Sequence, residues 1–306
     1  MKVSIVIPAY NYAGVLPRAV ESVVAQLRMG YELIVIDDGS TDETPSVLAR
    51  LEEKYPGRFR VITQSNRGLA SVRNRGVEAA QAPRLLFLDA DDELAPGAID
   101  AIDAGIATHP EAGLLIGGYV SIEPDGTQRV HLPGRLPADP VARVRAYLIE
   151  KTIGLANGAC VMHKKIFDEG GYPERFRSAE DLPVFAQALG NHVCAVLDAV
   201  IARIHKHEDS MRNQYRSAKA TGMELVAEIF ETGRLDERFA SLRRDYYVQR
   251  NLSLFRSAYF AGCEDEAMRY FLTAFREKWN VVFNLSYSKK ACRLLVGRFF
   301  RSVVTG

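Results

Sequence analysis

Four acidic residues come directly after an apolar run that ends at Leu88. Leu85–Leu88 is entirely apolar, and the following residues include Asp89, Asp91, Asp92 and Glu93. Carboxylates this close together repel one another unless a cation lies between them. Asp89 and Asp91 can share a divalent ion, because Mg²⁺ and Mn²⁺ prefer oxygen ligands. The alternative is a polar turn that caps the following helix.

A second acidic pair, Glu180 and Asp181, stands before a predicted helix over Pro183–Leu189. Carboxylates at a helix N-terminus commonly cap the helix, and for these two residues alone capping is the more frequent role. A carboxylate in this position can also act as a general base towards a reacting hydroxyl. Both interpretations remain open from the pair itself.

A third acidic pair, Asp37 and Asp38, ends a predicted strand. A carboxylate at a strand end can accept hydrogen bonds from a nucleobase or from ribose hydroxyls. Ser40 and Glu43 have the spacing of a capping box, which predicts the start of the next helix. The ligand-binding role and the capping role do not compete.

Basic and imidazole side chains supply further candidates. Arg67, Arg73 and Arg75 lie near a predicted helix and can bind phosphate groups, although many such arginines are simply solvated. His205 and His207 stand two residues apart on a predicted extended segment, so they point in opposite directions. We expect at most one of these histidines to face a site shared with the acids.

Glycine-rich phosphate loops are missing from the sequence. No G-x-G-x-x-G motif follows the first predicted strand, and no G-x-x-x-x-G-K-[S/T] motif occurs, which argues against a dinucleotide-dependent oxidoreductase and a P-loop NTPase. Bound phosphates would therefore need a metal ion and basic side chains. The formal net charge of +1 provides no global field that would attract nucleic acid or a membrane, although local charge at the C-terminus can still matter.

The elements that must position these groups alternate regularly through residues 1–90. Short apolar runs are separated by segments with helical spacing, which is typical of parallel βαβ units. Ligands bind beyond the carboxyl ends of the strands in such sheets, and three of the predicted strands end in polar residues. The predicted strands are Val3–Ile7, Glu32–Ile36, Phe59–Ile62 and Leu85–Leu88, and the polar ends are Tyr10-Asn11, Asp37-Asp38 and Asp89–Asp91.

The remainder of the chain predicts a mixed region followed by helices. Leu114–Ile122 and Thr127–Leu132 flank a Pro-Asp-Gly turn and predict a hairpin. Val193–Ile204 predicts a last strand, and from about residue 216 only helical periodicity remains. We therefore expect an α/β domain over residues 1–215 and a helical region over residues 216–306.

The composition is that of a folded protein without a membrane span. The 306 residues are 47% hydrophobic and 25% charged, which is typical of globular domains rather than disordered ones. The four cysteines have neither metal-binding nor redox spacing, so we expect reduced thiols in a cytosolic protein. We recognise no signal peptide and no run of ~20 apolar residues, which predicts a cytoplasmic location.

Five sequence blocks together resemble one family, the inverting family 2 glycosyltransferases, which have the GT-A fold. The blocks occur in the family's order and with roughly its spacing over about residues 1–210, which makes the resemblance specific. The fold that it implies is an α/β, mostly parallel, Rossmann-like sheet flanked by helices, here with a C-terminal helical appendage. The blocks are VSIVIPAYN, IDDGSTDET, NRGLASVRNRG, LFLDADDE and GGYPERFRSAED.

The resemblance implies a role for each matching residue. The donor would be a nucleotide-diphosphate sugar, usually a uridine one, with Tyr10 and Asp38 against the base. Asp91 would ligate Mg²⁺ or Mn²⁺, and Asp181 would be the catalytic base. The full set implied is Pro8, Tyr10, Asn11, Asp37, Asp38, Arg67, Arg73, Asp89 and Ala90 for the donor, Asp89, Asp91 and His207 for the metal, and Glu180 and Asp181 for catalysis.

Two features bear on which substrates would be used. Leu182-Pro183 stands where the family often has an aromatic residue after the acidic pair, so the acceptor pocket can differ, although Pro183 suits the first turn of a helix. The choice of sugar depends on residues 110–180, where the sequence pattern is least clear. Asn157-Gly158 are candidates for contact with the donor sugar.

The prediction is a metal-dependent, inverting transferase of a hexosyl or N-acetylhexosaminyl group, with a glycan or lipid-linked acceptor, in bacterial surface polysaccharide synthesis. A sugar nucleotidyltransferase is the alternative enzyme, but it would need a glycine-rich basic loop where Pro8–Asn11 stands. A non-catalytic nucleotide- or glycan-binding subunit is the other alternative. Asp89, Asp91 and Asp181 argue against that role, because a protein without activity has no chemical reason to retain all three.

The end of the chain, Ser288–Val304, mixes basic and large apolar residues. Such a basic amphipathic helix can lie on an anionic membrane surface, or it can pack on the domain with a solvated basic face. We expect the former, because such enzymes often act on lipid-linked acceptors. The protein would then be peripheral on the cytoplasmic face of the inner membrane.

Overall fold

The chain folds into two compact units, Met1–Glu208 and Asp209–Gly306. The structure is a computed structural model that describes residues 1–206 and 215–304, with residues 297–304 described by their backbone alone. The boundary predicted at residue 215, where the strand pattern of the sequence ends, stays a prediction.

A single mixed sheet forms the centre of the first unit. Within residues 1–206 it has nine strands in the order β3-β2-β1-β4-β8-β6-β9-β5, with β7 paired to β6. The first four strands in this order are parallel, as the alternating pattern predicts. The strands are β1 Val3–Ala9, β2 Tyr31–Asp37, β3 Arg60–Thr63, β4 Arg84–Phe87, β5 Glu93–Leu94, β6 Leu114–Ile122, β7 Gln128–His131, β8 Cys160–His163 and β9 Cys194–His205.

Helices flank this sheet, and α1, Leu16–Val24, shows how an apolar face packs on it. On the first helix, Leu16, Val20 and Val23 recur at helical spacing and are completely buried, which is the pattern of a helix packed on a sheet. Short π and 3-10 turns cover Ala146–Glu150, Asn157–Ala159 and Lys164–Glu169. The helices are α1 Leu16–Val24, α2 Thr44–Lys54, α3 Leu69–Ala79, α4 Ala98–Thr108, α5 Pro140–Arg145 and α6 Asp181–Asn191.

The carboxyl ends of β1, β2 and β4 lie side by side at one edge of the sheet. The backbone N of Asp38, after β2, donates to Ala9 O at the end of β1 at 2.9 Å, and Leu88 N, after β4, donates to Val6 O at 2.9 Å. The polar residues that follow these strands therefore emerge at the same edge. The convergence predicted from the sequence is confirmed.

Two strands have no counterpart in the sequence-based prediction. β8 pairs antiparallel with both β4 and β6 and so stands between them in the sheet. Its four residues lie in a glycine-containing stretch of mixed composition that includes the buried Gly158, so the sequence pattern did not indicate a strand there. β5 is two residues long and pairs with β9, which places the loop of Asp89–Asp92 between two strands of the sheet.

The capping box predicted for Ser40 and Glu43 is wrong. α2 begins at Thr44, and the Glu43 side chain makes no capping hydrogen bond. Asp42 Oδ1 accepts from Thr44 N at 2.9 Å instead. Ser40 Oγ donates to Asp37 Oδ1 at 2.5 Å, because the turn after β2 brings the hydroxyl back to the carboxylate of its own strand end.

The second unit is helical in its described residues, 215–304, as predicted. Phe255, Ala258 and Ala267 are fully buried in its core, and the 3-10 turns cover Glu237–Phe239 and Trp279–Phe283. Among the helices that the structure describes, none has both the length and the apolar character needed to span a membrane. The helices are α7 Tyr215–Thr221, α8 Glu224–Phe230, α9 Ala240–Phe260, α10 Glu264–Glu277 and α11 Leu285–Val304.

The close approach of α3 to the sheet depends on a glycine. A Cβ at Gly76 would lie 2.7 Å from Val6 Cγ1 and 3.1 Å from Phe87 Cε1. Overpacking of this kind costs about 1–3 kcal/mol, and the better helix propensity of alanine offsets at most ~1 kcal/mol. We therefore expect Gly76→Ala to lower the free energy of unfolding by about 1 kcal/mol, measured by chemical denaturation.

Gly14→Ala is the matched control, because no atom lies within 4 Å of a Cβ at that position. It should change the free energy of unfolding by less than about 0.5 kcal/mol. Equal stability of the two variants would show that α3 is free to move away from β1 and β4.

Candidate active site

The candidate active site is assembled from the ends of three parallel strands and from two helices. The backbone N of Asn11, after β1, donates to Ser40 Oγ, after β2, at 2.9 Å. Arg73 on α3 connects the loop after β4 with the start of α6. The segments brought together are Tyr10–Tyr12, Asp37–Ser40, Arg73, Asp89–Glu93 and Glu180–Asp181.

Arg73 is a buried cation held between two carboxylates. Its side chain is 3% exposed, Nη1 donates to Glu180 Oε1 at 2.7 Å, and Nη2 donates to Asp89 Oδ1 at 2.9 Å. Burial acts to lower the pKa of Arg73, but Asp89 and Glu180 outweigh it and raise that pKa above its ordinary value. The guanidinium therefore stays charged and ties the acidic loop to α6.

Tyr172 and Asn74 hold the segment that leads into α6. Tyr172 N donates to Asn74 Oδ1 at 2.8 Å, and Asn74 Nδ2 donates to Tyr172 O at 2.9 Å. The Tyr172 ring lies under the Arg73 guanidinium at 5.4 Å, and its hydroxyl donates to Asn157 Oδ1 at 3.2 Å. Tyr172 lies inside a block that resembles the family, yet nothing in the sequence distinguished it from a core aromatic.

The acidic loop after β4 contains carboxylates in different states. Asp89 is 41% exposed on its side chain and is paired with Arg73. Asp92 is 5% exposed, and its Oδ1 accepts from His205 N at 2.9 Å. Burial, together with the charges of Asp89 and Asp91, raises the pKa of Asp92 to about 8. One bound proton or one added cation would therefore reduce the repulsion among these carboxylates.

A brace behind the acidic loop was missed by the sequence analysis. Glu93 Oε1 lies 2.7 Å from His205 Nε2 and 3.7 Å from Arg18 Nε. The Arg18 side chain also donates to the backbone oxygen of Asp91. His205 thus braces the loop through Glu93, and no spacing in the sequence connects these residues. His207, the predicted metal ligand, lies outside the described residues.

Tyr12 is a further residue that the sequence analysis overlooked. Burial, followed by the charges of Asp91, Asp89 and Asp92, raises the pKa of Tyr12 to about 12. The phenol therefore stands near the acidic loop as a neutral hydrogen-bond donor. The sequence-based prediction named Tyr10, which lies in the first block that resembles the family. The two tyrosines are similarly exposed, Tyr10 at 41% and Tyr12 at 37%.

The two carboxylates at the end of β2, Asp37 and Asp38, order the loops around them. Asp38 accepts from Gly68 N at 2.7 Å, from Arg67 N at 3.0 Å and from Gln64 Nε2 at 2.8 Å. Asp37 accepts from the Ser40 backbone N and hydroxyl. Both aspartates are 2% exposed. Their predicted contacts with a nucleotide stay a prediction.

Asn11, Pro8 and Ala90 are the remaining residues that the sequence predicts to bind the donor. Asn11 has a left-handed backbone with φ of +58°, and its Oδ1 accepts from Thr41 N at 2.8 Å. Asparagine adopts this left-handed conformation more readily than most residues other than glycine. Pro8 lies within buried β1 opposite Ile36, and Ala90 is 1% exposed.

Asp181 is the first residue of α6, and the pKa of its carboxyl group is raised. Burial and the Glu180 charge raise the pKa of Asp181 to about 6, against the opposing effect of Arg73. Glu180 makes no capping hydrogen bond to α6, so the capping role weighed for it is wrong. Ala179, just before the pair, has a left-handed φ of +59°, a strained conformation of the kind found at functional sites.

The carboxylate oxygens of the acidic loop suit a hard divalent cation. Within the described ranges, no three or more His, Cys, Asp or Glu side chains are grouped so that they alone could hold a metal ion. The raised pKa of Asp92 nevertheless marks an excess of negative charge beside Asp89 and Asp91. Mg²⁺ commonly takes one or two protein carboxylates and completes its shell with water and substrate phosphates, so the residues present fit such an ion.

Comparisons with known proteins concern the family and the fold of the chain. The family described as Glycosyl transferase family 2 matches residues 4–171. An uncharacterized glycosyltransferase, alr2836, of Nostoc sp. is 34% identical over 170 residues, which are 54% of this chain and 53% of that protein. The chain thus spans about half the length of this curated relative.

Solved structures with little sequence identity share the fold. S. aureus TarS 1–349 in complex with UDP-GlcNAc has a TM-score of 0.61 at 16% identity, with 92% of both chains covered. The mannosyltransferase PcManGT from Pyrobaculum calidifontis, in complex with GDP-Man and Mn²⁺, has a TM-score of 0.58 at 15% identity, with 96% of this chain and 84% of that one covered.

The Arg73 bridge gives a stability prediction. Arg73→Met would leave the 6% exposed Glu180 without its cation, and breaking a buried pair on one side costs roughly 3–5 kcal/mol. Arg67→Met removes only an exposed pair with Glu174 at 3.1 Å and should cost about 1 kcal/mol or less. Chemical denaturation of both variants measures the difference.

Glu180→Gln in the Arg73→Met background tests the cause of that loss. It removes the unpaired negative charge of Glu180, so the double variant should be more stable than Arg73→Met alone. No recovery in the double variant would show that Arg73 acts through packing rather than through its charge.

Proposed function

The chain belongs to glycosyl transferase family 2 and has the GT-A fold that its motifs predict, and on this premise we propose that it transfers a sugar from a nucleotide-diphosphate donor to an acceptor hydroxyl. We propose a uridine nucleotide and a hexosyl or N-acetylhexosaminyl group. The acceptor is a glycan or a lipid-linked glycan of a bacterial surface polysaccharide. The complexes of TarS with UDP-GlcNAc and of PcManGT with GDP-Man support a nucleotide-sugar donor.

One observation carries this proposal: a single guanidinium joins both halves of the site. Arg73 binds Asp89 of the acidic loop and Glu180 beside Asp181. A diphosphate bound at the loop and a hydroxyl next to Asp181 would therefore share one small volume. This proximity is what a direct displacement requires, since reacting groups must be held in contact.

Asp181 acts as the general base in the proposed reaction. Its carboxylate takes the proton of the acceptor hydroxyl while that oxygen attacks the anomeric carbon. The bond from the anomeric carbon to the diphosphate oxygen breaks in the same step, so the configuration at that carbon inverts. A pKa of about 6 keeps Asp181 ionised at neutral pH and still basic enough to accept the proton.

The leaving diphosphate needs positive charge at the acidic loop. We propose that Asp91 and Asp89, with His207, hold Mg²⁺ or Mn²⁺. Such an ion, when bound, supplies Lewis-acid neutralisation of the charge that develops on the diphosphate. Arg73 contributes a fixed positive charge to the same loop, and Tyr12 contributes a neutral donor.

We further propose a cytoplasmic protein that contacts the inner membrane peripherally. The basic amphipathic sequence of Ser288–Val304 supports this location. A lipid-linked acceptor would be presented at the same surface.

Nucleotide-dependent thermal stabilisation tests the donor site. UDP, GDP, CDP and dTDP are added with and without Mn²⁺ to the wild type and to Asp91→Ala. A ligand at 100 times its Kd stabilises the native state by about 2.7 kcal/mol, so one nucleotide should raise the melting temperature by several degrees. The rise should need the metal and should be absent in Asp91→Ala.

Asp198→Ala is the matched control, because it removes an exposed aspartate from β9, away from the proposed site. It should keep the full nucleotide response. No response to any nucleotide in the wild type would contradict the donor site, and binding without sugar transfer to any acceptor would favour a non-catalytic subunit.

The raised pKa of Asp181 predicts an acid limb in the activity profile. The rate constant kcat/KM should rise with pH through about 6 and fall about tenfold for each unit below it, because only the carboxylate accepts the proton. Asp181→Asn should lose 10²-fold activity or more and retain the nucleotide response. A flat profile between pH 5 and 7 in the wild type would exclude Asp181 as the base.

The same shift predicts the direction of a stability change. The folded pKa of about 6 lies above the ordinary value of 3.8, so the folded state binds this proton more tightly than the unfolded chain. The contribution of Asp181 to stability should therefore be lost as pH rises from about 4 through 6. Asp181→Asn should remove this part of the pH dependence.

A further inference from the structure

The last part of the chain carries positive charge only. No acidic residue follows Glu277, whereas six basic residues do, and the whole chain has 39 Lys and Arg against 38 Asp and Glu. The chain up to Glu277 is therefore acidic overall, and the near-zero net charge conceals a basic C-terminal segment. The basic residues are Lys278, Lys289, Lys290, Arg293, Arg298 and Arg301.

The same segment exposes large apolar side chains. Between residues 279 and 296, five of them are more than half exposed: Trp279 66%, Phe283 70%, Leu285 67%, Leu295 53% and Val296 55%. The Trp279 and Phe283 rings contact each other edge to face with centroids 5.6 Å apart. A concentration of exposed apolar residues on a folded unit marks an interaction surface.

The exposed residues of α11 repeat on one face of the helix. Leu285, Lys289, Cys292 and Val296 follow the spacing i, i+4, i+7 and i+11, and all four are exposed. The opposite side is anchored in the core of the second unit, where Ala291 and Leu294 are buried. The helix is therefore held by one face and presents a second face that is both apolar and basic.

We propose that residues 279–296 form an interfacial surface that docks on an anionic lipid membrane. Trp279, Phe283 and Leu285 enter the boundary between headgroups and acyl chains, where tryptophan and other amphipathic rings are favoured. Lys289 and Arg293 bind the anionic headgroups. This surface deepens the peripheral contact proposed above, and it does not depend on the transfer reaction.

Charge complementarity selects the membrane over a second copy of the chain. A symmetric contact between two copies would bring Lys289 and Arg293 against the same basic surface, where like charges repel. An anionic bilayer offers negative charge and an apolar interior to the same face. Apolar burial and electrostatic attraction then act in the same direction.

Trp279 provides a direct test, because it is the only tryptophan in the chain. The chain of residues 1–306 is mixed with vesicles of phosphatidylcholine alone or with phosphatidylglycerol added. The emission of Trp279 should shift to the blue and be quenched by brominated acyl chains with the anionic vesicles only. High salt should reverse both effects.

Two double variants separate the contributions of charge and of apolar insertion. Lys289→Glu with Arg293→Glu should weaken apparent vesicle affinity by at least about 25-fold, at roughly fivefold for each basic charge lost. Phe283→Ser with Leu285→Ser should weaken it about tenfold or more. Met29→Ser, at a 96% exposed apolar position in the first unit, is the matched control and should bind as the wild type does.

The outcomes distinguish this surface from the other proposals. Absence of a blue shift with anionic vesicles, or equal binding to neutral ones, would overturn it. A blue shift that depends on protein concentration without vesicles would assign the face to a second copy. Asp181→Asn should bind vesicles normally, so failure of the transfer reaction and failure of membrane docking are read from separate experiments.

Discussion

The buried charge of Arg73 is the constraint on which the candidate site depends. A guanidinium that is 3% exposed has lost most of its water and must be paired. Its two partners are Asp89, 16 residues further along the chain, and Glu180, 107 residues further. If the acidic loop or the start of α6 moved away, the buried guanidinium of Arg73 would lose one of its two partners. The position of the proposed base, Asp181, therefore depends on the pairing of Arg73 with Asp89 across the site.

The carboxylates of the site differ in role because their surroundings differ. Asp38 is saturated by the loop that carries Arg67 and Gly68, and Asp89 is paired with Arg73. The hydrogen bond from His205 N to Asp92 and the charge of Arg73 near Asp181 offset burial and the neighbouring acids only in part, so the pKa values of Asp92 and Asp181 are raised to about 8 and about 6. Environments that separate the pKa values of similar groups are the usual means of assigning acid and base roles.

Prediction from the sequence succeeded where a pattern is local. The apolar runs of the first four strands and the helical spacing between them follow from side-chain periodicity alone, and the hairpin after Leu114 follows from its turn residues. β8 was missed because its four residues lie in a glycine-containing stretch of mixed composition, and β5 was missed because two residues carry no period. The capping box failed, because the turn after β2 directs the Ser40 hydroxyl to Asp37 instead.

The sequence alone determined the family, the parallel half of the sheet and the acidic residues that meet at its edge, because motifs and periodicity are properties of neighbouring positions. Only the tertiary structure decided that Arg73 joins Asp89 to Glu180, that Tyr12 stands at the acidic loop, and that residues 279–296 expose an apolar and basic face. Burial and pairing between distant segments arise from the packed fold. No spacing along the chain encodes which side chains are brought together there.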